Sequence, residues 1–337
     1  MRLAVPLFLF WIPAVCQQQF ASLGDLKLES GEVLRDCRIG YRTFGKLNAA
    51  RSNSVLFPTW FTGRSGQLAA SIGPGKLVDS SRYYVIAVDA LANGVSSSPS
   101  NSKVQPRMKF PRVTIGDMAA SQHALLTRVL KIPRLRAVVG ISMGGMQAFQ
   151  WMVAYPEFLD RAVPVAGSPK LTSYDLLLWQ AEIDAIRADR DWRGGNYRRP
   201  PAAGLRAVAG IHELALTTPE YRARETAPAA FAGFYASLEK QAVEGMDAND
   251  RIRQLEAMMS HDVSRAFGGN LRNAAAAVRA KTLVVVALRD HMVNPRPALE
   301  FAKLLQAATL ELDSDCGHLS PGCEESKVVP RVAAFLE

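Results

Sequence analysis

A serine flanked by glycines stands between a strand-like run and a helix-like run in the middle of the chain. Residues 138–151 read VVGISMGGMQAFQW, so that Gly140, Ser142 and Gly144 form the pattern G-x-S-x-G. Between a strand and a helix, this pattern is typical of a turn that is too tight for a Cβ on either flank and that raises the serine hydroxyl above the sheet. The Met143 N–H would point to the same place and stabilise a developing oxyanion. We therefore predict that Ser142 is the nucleophile of an acyl-group reaction, the alternative being a plain tight turn.

A serine hydroxyl is a weak nucleophile, so it needs a histidine base and a carboxylate that orients the base. After a nucleophile on such a turn, the acid and then the histidine follow along the chain. Asp290 ends the run LVVVALRD, and His318 lies beyond the next strand-like segment in a glycine-containing loop. We predict Asp290 as the acid and His318 as the base, the alternative for Asp290 being a helix cap before Pro295. The other histidines, which precede the serine, adjoin the acid or fall in a long helical segment, are His123, His212, His261 and His291.

The second donor to the oxyanion is expected from the loop after the strand-like run SVLF. That loop is PTWFTG, residues 58–63. We predict the Phe61 N–H as the donor that acts together with the Met143 N–H, and the Trp60 N–H as the alternative. The two aromatic side chains also suit the wall of a pocket, and the two roles are compatible.

Two of the four cysteines bracket the predicted base in CGHLSPGC, residues 316–323. Cys316 and Cys323 enclose a short loop that a disulfide can close. The other two cysteines are Cys16 and Cys37. A zinc site is not expected, because two cysteines and one histidine lack a fourth ligand at any usual spacing. The sequence implies neither a metal nor another cofactor.

The elements that must position these residues follow from hydrophobic patterning. Short apolar, β-branched runs are typical of strands that are buried on both faces of a parallel sheet. Strands and helices in alternation predict a doubly wound, mostly parallel α/β sheet. The strand-like runs are 54–57, 83–88, 136–140, 162–166 and 282–287, and helical spacing is found at 118–130, 143–154 and 296–306.

One long segment interrupts this alternation. From about Leu171 to Arg279 no strand-like run is found, and the residues suit helices rich in Ala, Glu and Arg. We predict a helical lid over residues 171–279, inserted into a core formed by residues 17–170 and 280–337. Open α/β sheets bind ligands at the carboxyl ends of their strands, and the lid would cover that edge.

The N-terminal segment MRLAVPLFLFWIPAVCQQQ has an apolar run from Leu3 to Val15. This run is too short to span a bilayer and fits a secretory signal. We predict a signal peptide over residues 1–16, a secreted or periplasmic protein, and no stable membrane insertion after signal removal. A buried N-terminal strand and lipoprotein anchoring at Cys16 are the alternatives. Export would favour disulfides, because they persist in oxidising compartments.

The net charge of +9 does not by itself indicate a nucleic-acid partner. Arginines between Arg187 and Arg199 form one loose cluster, and no zinc-finger or RRM motif accompanies them. We expect a small-molecule acyl substrate and no nucleic acid.

The segments around the predicted site resemble the homoserine O-acetyltransferase branch of the α/β-hydrolase superfamily. GDMAASQHALL at 116–126 and LRAVVGISMGGMQAFQWMVAYPEFLDRAVPVAGS at 135–168 are similar to that family's nucleophile region, and FTG at 61–63 is similar to its oxyanion loop. The resemblance runs over most of the chain beyond the N-terminal segment. It implies the α/β-hydrolase fold with a helical lid, the same nucleophile, acid and base as above, and a homodimer formed through the lid.

Thr59 stands where the family's oxyanion loop usually has a histidine, and three further positions, which face the substrate in the family, also depart from it. Its members that act on homoserine follow the catalytic histidine with an aspartate that holds the substrate amine, whereas this chain has Leu319. Ala209 and Leu216 stand where the family has a lid arginine and tyrosine that face the substrate. A pocket without charged partners would have to desolvate the amine and carboxylate of an amino acid, which is unfavourable.

These departures lead to three hypotheses. The preferred one is a secreted serine hydrolase, esterase-like, that cleaves an acyl ester through an acyl-serine intermediate. The alternative is an acyltransferase that resembles homoserine O-acetyltransferase and moves an acyl group from acyl-CoA to an alcohol or amino-acid hydroxyl. A catalytically silent binding protein on the same fold is disfavoured by the complete set of serine, histidine and aspartate.

Overall fold

The computed structural model describes residues 17–337, so the predicted signal peptide lies outside the described residues. Its strands are β1 (Gln19–Lys27), β2 (Val33–Phe44), β3 (Ser54–Pro58), β4 (Tyr84–Val88), β5 (Leu135–Ile141), β6 (Leu159–Val165), β7 (Lys281–Ala287) and β8 (Ala308–Leu312). They form one sheet in the order β1-β2-β4-β3-β5-β6-β7-β8. The pairs β1–β2 and β2–β4 are antiparallel, and all other pairs are parallel.

The central strands are apolar along their whole length because both faces of the sheet are covered. Successive side chains of a strand point to opposite faces. In β5, Val138 belongs to one apolar core, and its neighbours in sequence, Ala137 and Val139, belong to the other. The predicted doubly wound arrangement is therefore confirmed.

Helices cover both faces of the sheet. In chain order they are α1 (Ser65–Leu68), α2 (Ile115–Ala124), α3 (Met143–Ala154), α4 (Ser173–Ala188), α5 (Ala202–Leu216), α6 (Pro219–Glu225), α7 (Phe231–Gly245), α8 (Ala248–Met259), α9 (Leu271–Ala277), α10 (Arg296–Leu305), α11 (Ser320–Cys323) and α12 (Glu325–Leu336). Met118 of α2, Phe149 of α3 and Phe301 of α10 pack in the first core. Leu68 of α1 and Val332 of α12 pack in the second.

The sequence patterns do not predict β1 and β2, the two strands at one end of the sheet. In β1 only Ala21 is buried, and the pairing with β2 has register shifts around Gly24, so no regular alternation marks this strand.

The predicted helix at 118–130 differs in detail from the observed one. It begins at Ile115, after the Thr114 side chain accepts a hydrogen bond from the Asp117 N–H, and it continues after Ala124 as a π-helical turn.

Between β6 and β7 the described chain is helical, from α4 to α9. Ile186 of α4, Leu205 and Val208 of α5, and Ile252 of α8 form a small apolar core of their own. The division into a core and a lid over 171–279 stays a prediction. Among residues 17–337, none of the helices is both long and apolar enough to cross a membrane.

Candidate active site

Ser142 occupies the turn between β5 and α3 in a strained backbone conformation, with φ 57° and ψ −122°. A Cβ at Gly140 would lie 2.0 Å from the Gly144 carbonyl oxygen, and a Cβ at Gly144 would lie 2.7 Å from the Pro58 carbonyl oxygen. The Ser142 N–H donates to the Val165 carbonyl of β6 at 2.9 Å. Glycines on both flanks thus permit the close approach that places the serine above the strand ends.

The structure brings Ser142, His318 and Asp290 together. The Ser142 Oγ lies 2.8 Å from His318 Nε2, and His318 Nδ1 lies 2.6 Å from Asp290 Oδ2. The three residues are 9%, 8% and 8% exposed, so little water competes for these contacts. A carboxylate at Nδ1 fixes the tautomer in which Nε2 can accept the serine proton.

Asp290 uses its second oxygen as well. Its Oδ1 accepts hydrogen bonds from the Met292 and Val293 N–H groups at 2.8 and 2.9 Å. The carboxylate therefore also closes the turn after β7, which combines its capping role with its place beside His318. This turn holds the acid in one orientation.

The loop that carries His318 is held from two sides. Cys316 and Cys323 form a disulfide across it. The Ser320 hydroxyl donates to the Gly317 carbonyl at 2.6 Å, and the Thr218 hydroxyl donates from the helical insertion to the Asp315 carbonyl at 2.6 Å. Arg224 of α6 also pairs with the Asp315 carboxylate. The position of the histidine consequently depends on the disulfide and on the packing of the insertion.

The predicted oxyanion donors lie beside Ser142. Phe61 and Trp60 line the same cavity as Ser142, and neither of their N–H groups hydrogen-bonds to another residue within 17–337. Met143 is the first residue of α3, where backbone N–H groups have no partner within the helix. Phe61 and Met143 stay the predicted donors.

Two glutamines that the sequence analysis did not single out fix the Phe61 loop. The Gln147 side chain, fully buried in α3, donates to the Thr59 carbonyl at 3.0 Å. The Gln254 side chain of α8 accepts a hydrogen bond from the Thr62 N–H at 2.9 Å. A polar residue on the mostly buried helix after the nucleophile was the one available signal for Gln147.

A cavity of about 810 Å³ lies beside Ser142 and His318. Its walls include Leu77, Trp179, Leu216 and Leu319, and its charged side chains are Lys76 and Glu325. A second cavity of about 680 Å³ has Arg64, Glu213, Glu244 and Arg251 among its lining residues. The residues common to both linings are Thr62, His212 and Leu216. One mainly apolar and one more polar space therefore adjoin at these residues.

The other histidines are not part of the hydrogen-bonded set around Ser142. His123 stacks on Tyr155 with ring centroids 4.3 Å apart. His261 is buried, which lowers its pKa to about 4, and His291 is exposed. His212, however, lines the cavity of Ser142. From the sequence alone it was not a candidate for the base, because it falls in the long helical segment.

No group of three or more histidine, cysteine, aspartate or glutamate side chains suited to a metal ion is found within residues 17–337.

Proteins of similar sequence and structure show to which family this fold belongs. The family described as alpha/beta hydrolase fold matches residues 55–321. The chain is 33% identical over 329 residues to an ethyl acetate hydrolase of Pseudomonas veronii, with 94% of each chain covered. It is 32% identical over 316 residues to a homoserine O-acetyltransferase of Trichormus variabilis, with 87% of this chain and 86% of the relative covered. The solved structure of the acetyl esterase MekB superposes with a TM-score of 0.88 at 32% identity and covers 96% of both chains.

These similarities confirm the predicted fold and the predicted relation to homoserine O-acetyltransferases. The relatives named here are enzymes of acyl-group chemistry, either esterases or acetyltransferases. The chain is thus an enzyme of the esterase or acyltransferase type, and it belongs to the α/β-hydrolase family.

Proposed function

We propose that the protein is a serine esterase that cleaves a small acyl ester through an acyl-serine intermediate. The observation that carries the proposal is the continuous chain of hydrogen bonds from Ser142 Oγ through the His318 imidazole to Asp290. An imidazole so placed can remove the serine proton and is itself oriented by the carboxylate.

The reaction would proceed in two halves. Ser142 Oγ attacks the ester carbonyl while His318 Nε2 takes its proton, and the Phe61 and Met143 N–H groups stabilise the oxyanion. The tetrahedral intermediate collapses to the acyl-serine, and His318 returns the proton to the departing alcohol. A water molecule, deprotonated by His318, then attacks the acyl carbon; the bond to Ser142 Oγ breaks, His318 returns the proton to Oγ, and the carboxylic acid leaves the free enzyme.

Hydrolysis is favoured over transfer to an amino acid by the groups around the cavity. Leu319 follows the base and lines the cavity beside it, where the resemblance leads one to expect an aspartate. Ala209 and Leu216 line the second cavity, and neither side chain carries a charged or phenolic group. The ammonium and carboxylate groups of an amino acid would not find at these three positions the polar partners that the resemblance leads one to expect, and their lost hydration would not be replaced there. The 33% identity to an ethyl acetate hydrolase supports the same choice.

An acyltransferase is the second candidate. It would use the same acyl-serine, with an alcohol or amino-acid hydroxyl in place of water, and the homoserine O-acetyltransferase relatives favour it. The two reactions differ in which acceptor reaches the acyl-serine rather than in the residues that form it.

Two assays test the proposal. A fluorophosphonate probe is expected to label the protein and to leave Ser142→Ala unlabelled. Hydrolysis of p-nitrophenyl acetate is then compared with acetylation of homoserine by acetyl-CoA. Rapid acetylation of homoserine with negligible ester hydrolysis would establish the transferase instead, and a folded protein that the probe does not label would refute both enzymatic functions.

Export and dimerisation also remain proposals. The Cys316–Cys323 disulfide supports export, because such bonds persist in oxidising compartments. Exposed apolar side chains on α4, α5 and α7, namely Leu177, Leu214 and Phe231, support a dimer formed through the helical insertion.

A further inference from the structure

One polar side chain interrupts an otherwise apolar face of α5. Leu205, Val208 and Ala209 of this face are buried, and Leu216, one turn after His212, lines the cavity of Ser142. Residues at these spacings share one side of a helix. Of the ionisable side chains of α5, His212 is the one that lines the cavity of Ser142, whereas Glu213 lines only the second cavity.

His212 contacts a buried charged pair formed by Glu182 and Arg251. Its Nδ1 lies 2.8 Å from Glu182 Oε1, and Glu182 Oε2 lies 3.4 Å from an Arg251 nitrogen. Glu182 is fully buried, and the guanidinium carbon of Arg251 lies 5.2 Å from the centre of the Phe61 ring. The His212 ring itself is 5.9 Å from that ring. The cluster therefore packs against the side chain of the residue whose N–H is the predicted oxyanion donor.

The other ring nitrogen of His212 has no protein partner. Its Nε2 makes no hydrogen bond to any residue in the described range 17–337. This nitrogen is also not one of the side-chain atoms that are both fully buried and without a partner. The side chain is 27% exposed, and it borders both cavities. Because Nδ1 donates its proton in the hydrogen bond to the Glu182 carboxylate, Nε2 of the neutral imidazole is an acceptor, and it belongs to a ring that borders both cavities.

We propose that His212 is a substrate-binding residue whose Nε2 accepts a hydrogen bond from a free hydroxyl on the alcohol portion of the ester. The preferred substrates would then be monoesters of diols or polyols. This inference rests on the proposed esterase function. The acyl group would occupy the apolar cavity beside Ser142, and the hydroxylated chain would pass His212 toward the more polar second cavity with its Arg64, Glu213 and Glu244.

An alkyl alcohol at the same place would cover Nε2 without replacing its hydrogen bond to water. Leaving a polar atom unpaired in this way is unfavourable, whereas a hydroxyl satisfies it. A purely structural role of the Glu182–Arg251 pair would require only the Nδ1 contact. The unpaired Nε2 at the junction of the two cavities is what a structural role does not explain.

The test compares two acetate esters of equal size, 2-hydroxyethyl acetate and propyl acetate, and the longer pair 4-hydroxybutyl acetate and pentyl acetate. His212→Asn is the decisive variant, because an asparagine amide can keep the hydrogen bond to Glu182 but has no group at the position of Nε2. His212→Gln places an amide near that position, and Arg206→Gln on the exposed side of α5 is the control. We measure kcat/KM for each ester and the unfolding temperature of each variant.

In at least one of the pairs, His212→Asn is expected to lower the preference for the hydroxylated ester about tenfold, the effect of one hydrogen bond. Hydrolysis of propyl acetate should fall by a smaller factor than hydrolysis of 2-hydroxyethyl acetate, His212→Gln should keep part of the preference, and Arg206→Gln should keep all of it. An equal loss for both esters of each pair, or no loss for either, would overturn the inference. A preference for methyl 3-hydroxypropanoate over methyl butanoate that depends on His212 would overturn it too, because the hydroxyl would then lie on the acyl side.

Should His212→Asn fail to fold, His212→Phe is interpreted by the same criteria. Failure of the inference is separable from failure of the proposed function. A wild-type protein that hydrolyses propyl acetate but shows no preference dependent on His212 refutes the inference alone. A wild-type protein that hydrolyses none of these esters refutes the esterase proposal, and the inference with it.

Discussion

Removal of the Cys316–Cys323 disulfide should destabilise the protein and slow its reaction. The two cysteines are 7 positions apart and enclose His318. Releasing a closed loop of about 8 residues increases the entropy of the unfolded chain, and this corresponds to about 2.5 kcal/mol at 25 °C. For a chain of this size we expect the unfolding temperature to fall by about 3 °C.

The effect on activity comes from the folded state. Without the disulfide, the loop retains the hydrogen bond from Thr218 and the ion pair with Arg224, which both attach to Asp315 on one side of His318. On the other side of His318 the covalent link is lost and the hydrogen bond from the Ser320 hydroxyl to the Gly317 carbonyl remains. A catalytic group that is displaced by about 1 Å can lose up to about a hundredfold in rate. We expect kcat to fall by between about tenfold and a hundredfold, with a smaller change in KM.

The double variant Cys316→Ala/Cys323→Ala is compared with the wild type by thermal unfolding and by hydrolysis of p-nitrophenyl acetate. Dithiothreitol should reproduce both effects in the wild type and leave the double variant unchanged. Cys37→Ala is the matched control, because burial raises the pKa of the Cys37 thiol to about 12 and keeps it protonated and unreactive.

Peptide mass mapping before and after reduction shows whether the bond is present and whether it has been broken. If the bond is demonstrably reduced and neither the unfolding temperature nor kcat changes, the role assigned to the disulfide is wrong. A disulfide between Cys37 and either of the other two cysteines would refute the pairing, although Ser142, Asp290 and His318 would keep their roles.

Three further predictions concern the acid, a buried carboxyl and the helical insertion. Asp290→Asn should lower kcat about 10⁴-fold with little change in folding, because His318 would lose the partner that fixes its tautomer; an activity near that of the wild type would rule out this acid. Burial raises the pKa of Asp250 to about 7, so the folded protein holds this proton more tightly than the unfolded chain, and stability should fall as pH rises from 5 to 8. The difference in unfolding free energy between wild type and Asp250→Asn should change by about 2.5 kcal/mol over that range in denaturant titrations, and a difference independent of pH would contradict it. Leu214→Glu should shift a dimer toward monomer in sedimentation experiments, whereas a monomeric wild type would refute the dimer.

Much of the sheet was predictable because the signals are local. Strands covered on both faces need continuous apolar runs, and the observed β3, β4, β5, β6 and β7 fall within a few residues of the predicted ones. The strands β1 and β2 were not predicted; β1 is mostly exposed and interrupted by register shifts. A strand at the edge of a sheet, unlike a central strand, does not need apolar side chains on both of its faces.

The order of Ser142, Asp290 and His318 along the chain was also readable, because each follows a strand that ends at the same edge of the sheet. Their separations in space were not. The serine and the histidine are 176 positions apart, and only the folded sheet brings Oγ and Nε2 to 2.8 Å.

The sequence by itself determined the tight serine turn, the parallel strands and the candidates for nucleophile, acid and base, because these depend on residue types at short spacing. The tertiary structure alone decided that Gln254 supports the Phe61 loop from 192 positions away and that Glu182 holds His212 at the cavity. A helical repeat indicates that one face of α5 is buried but carries no information about what lies opposite that face. Long-range partners of this kind are fixed by the packing of the insertion on the core, and they place a second histidine beside the reaction site.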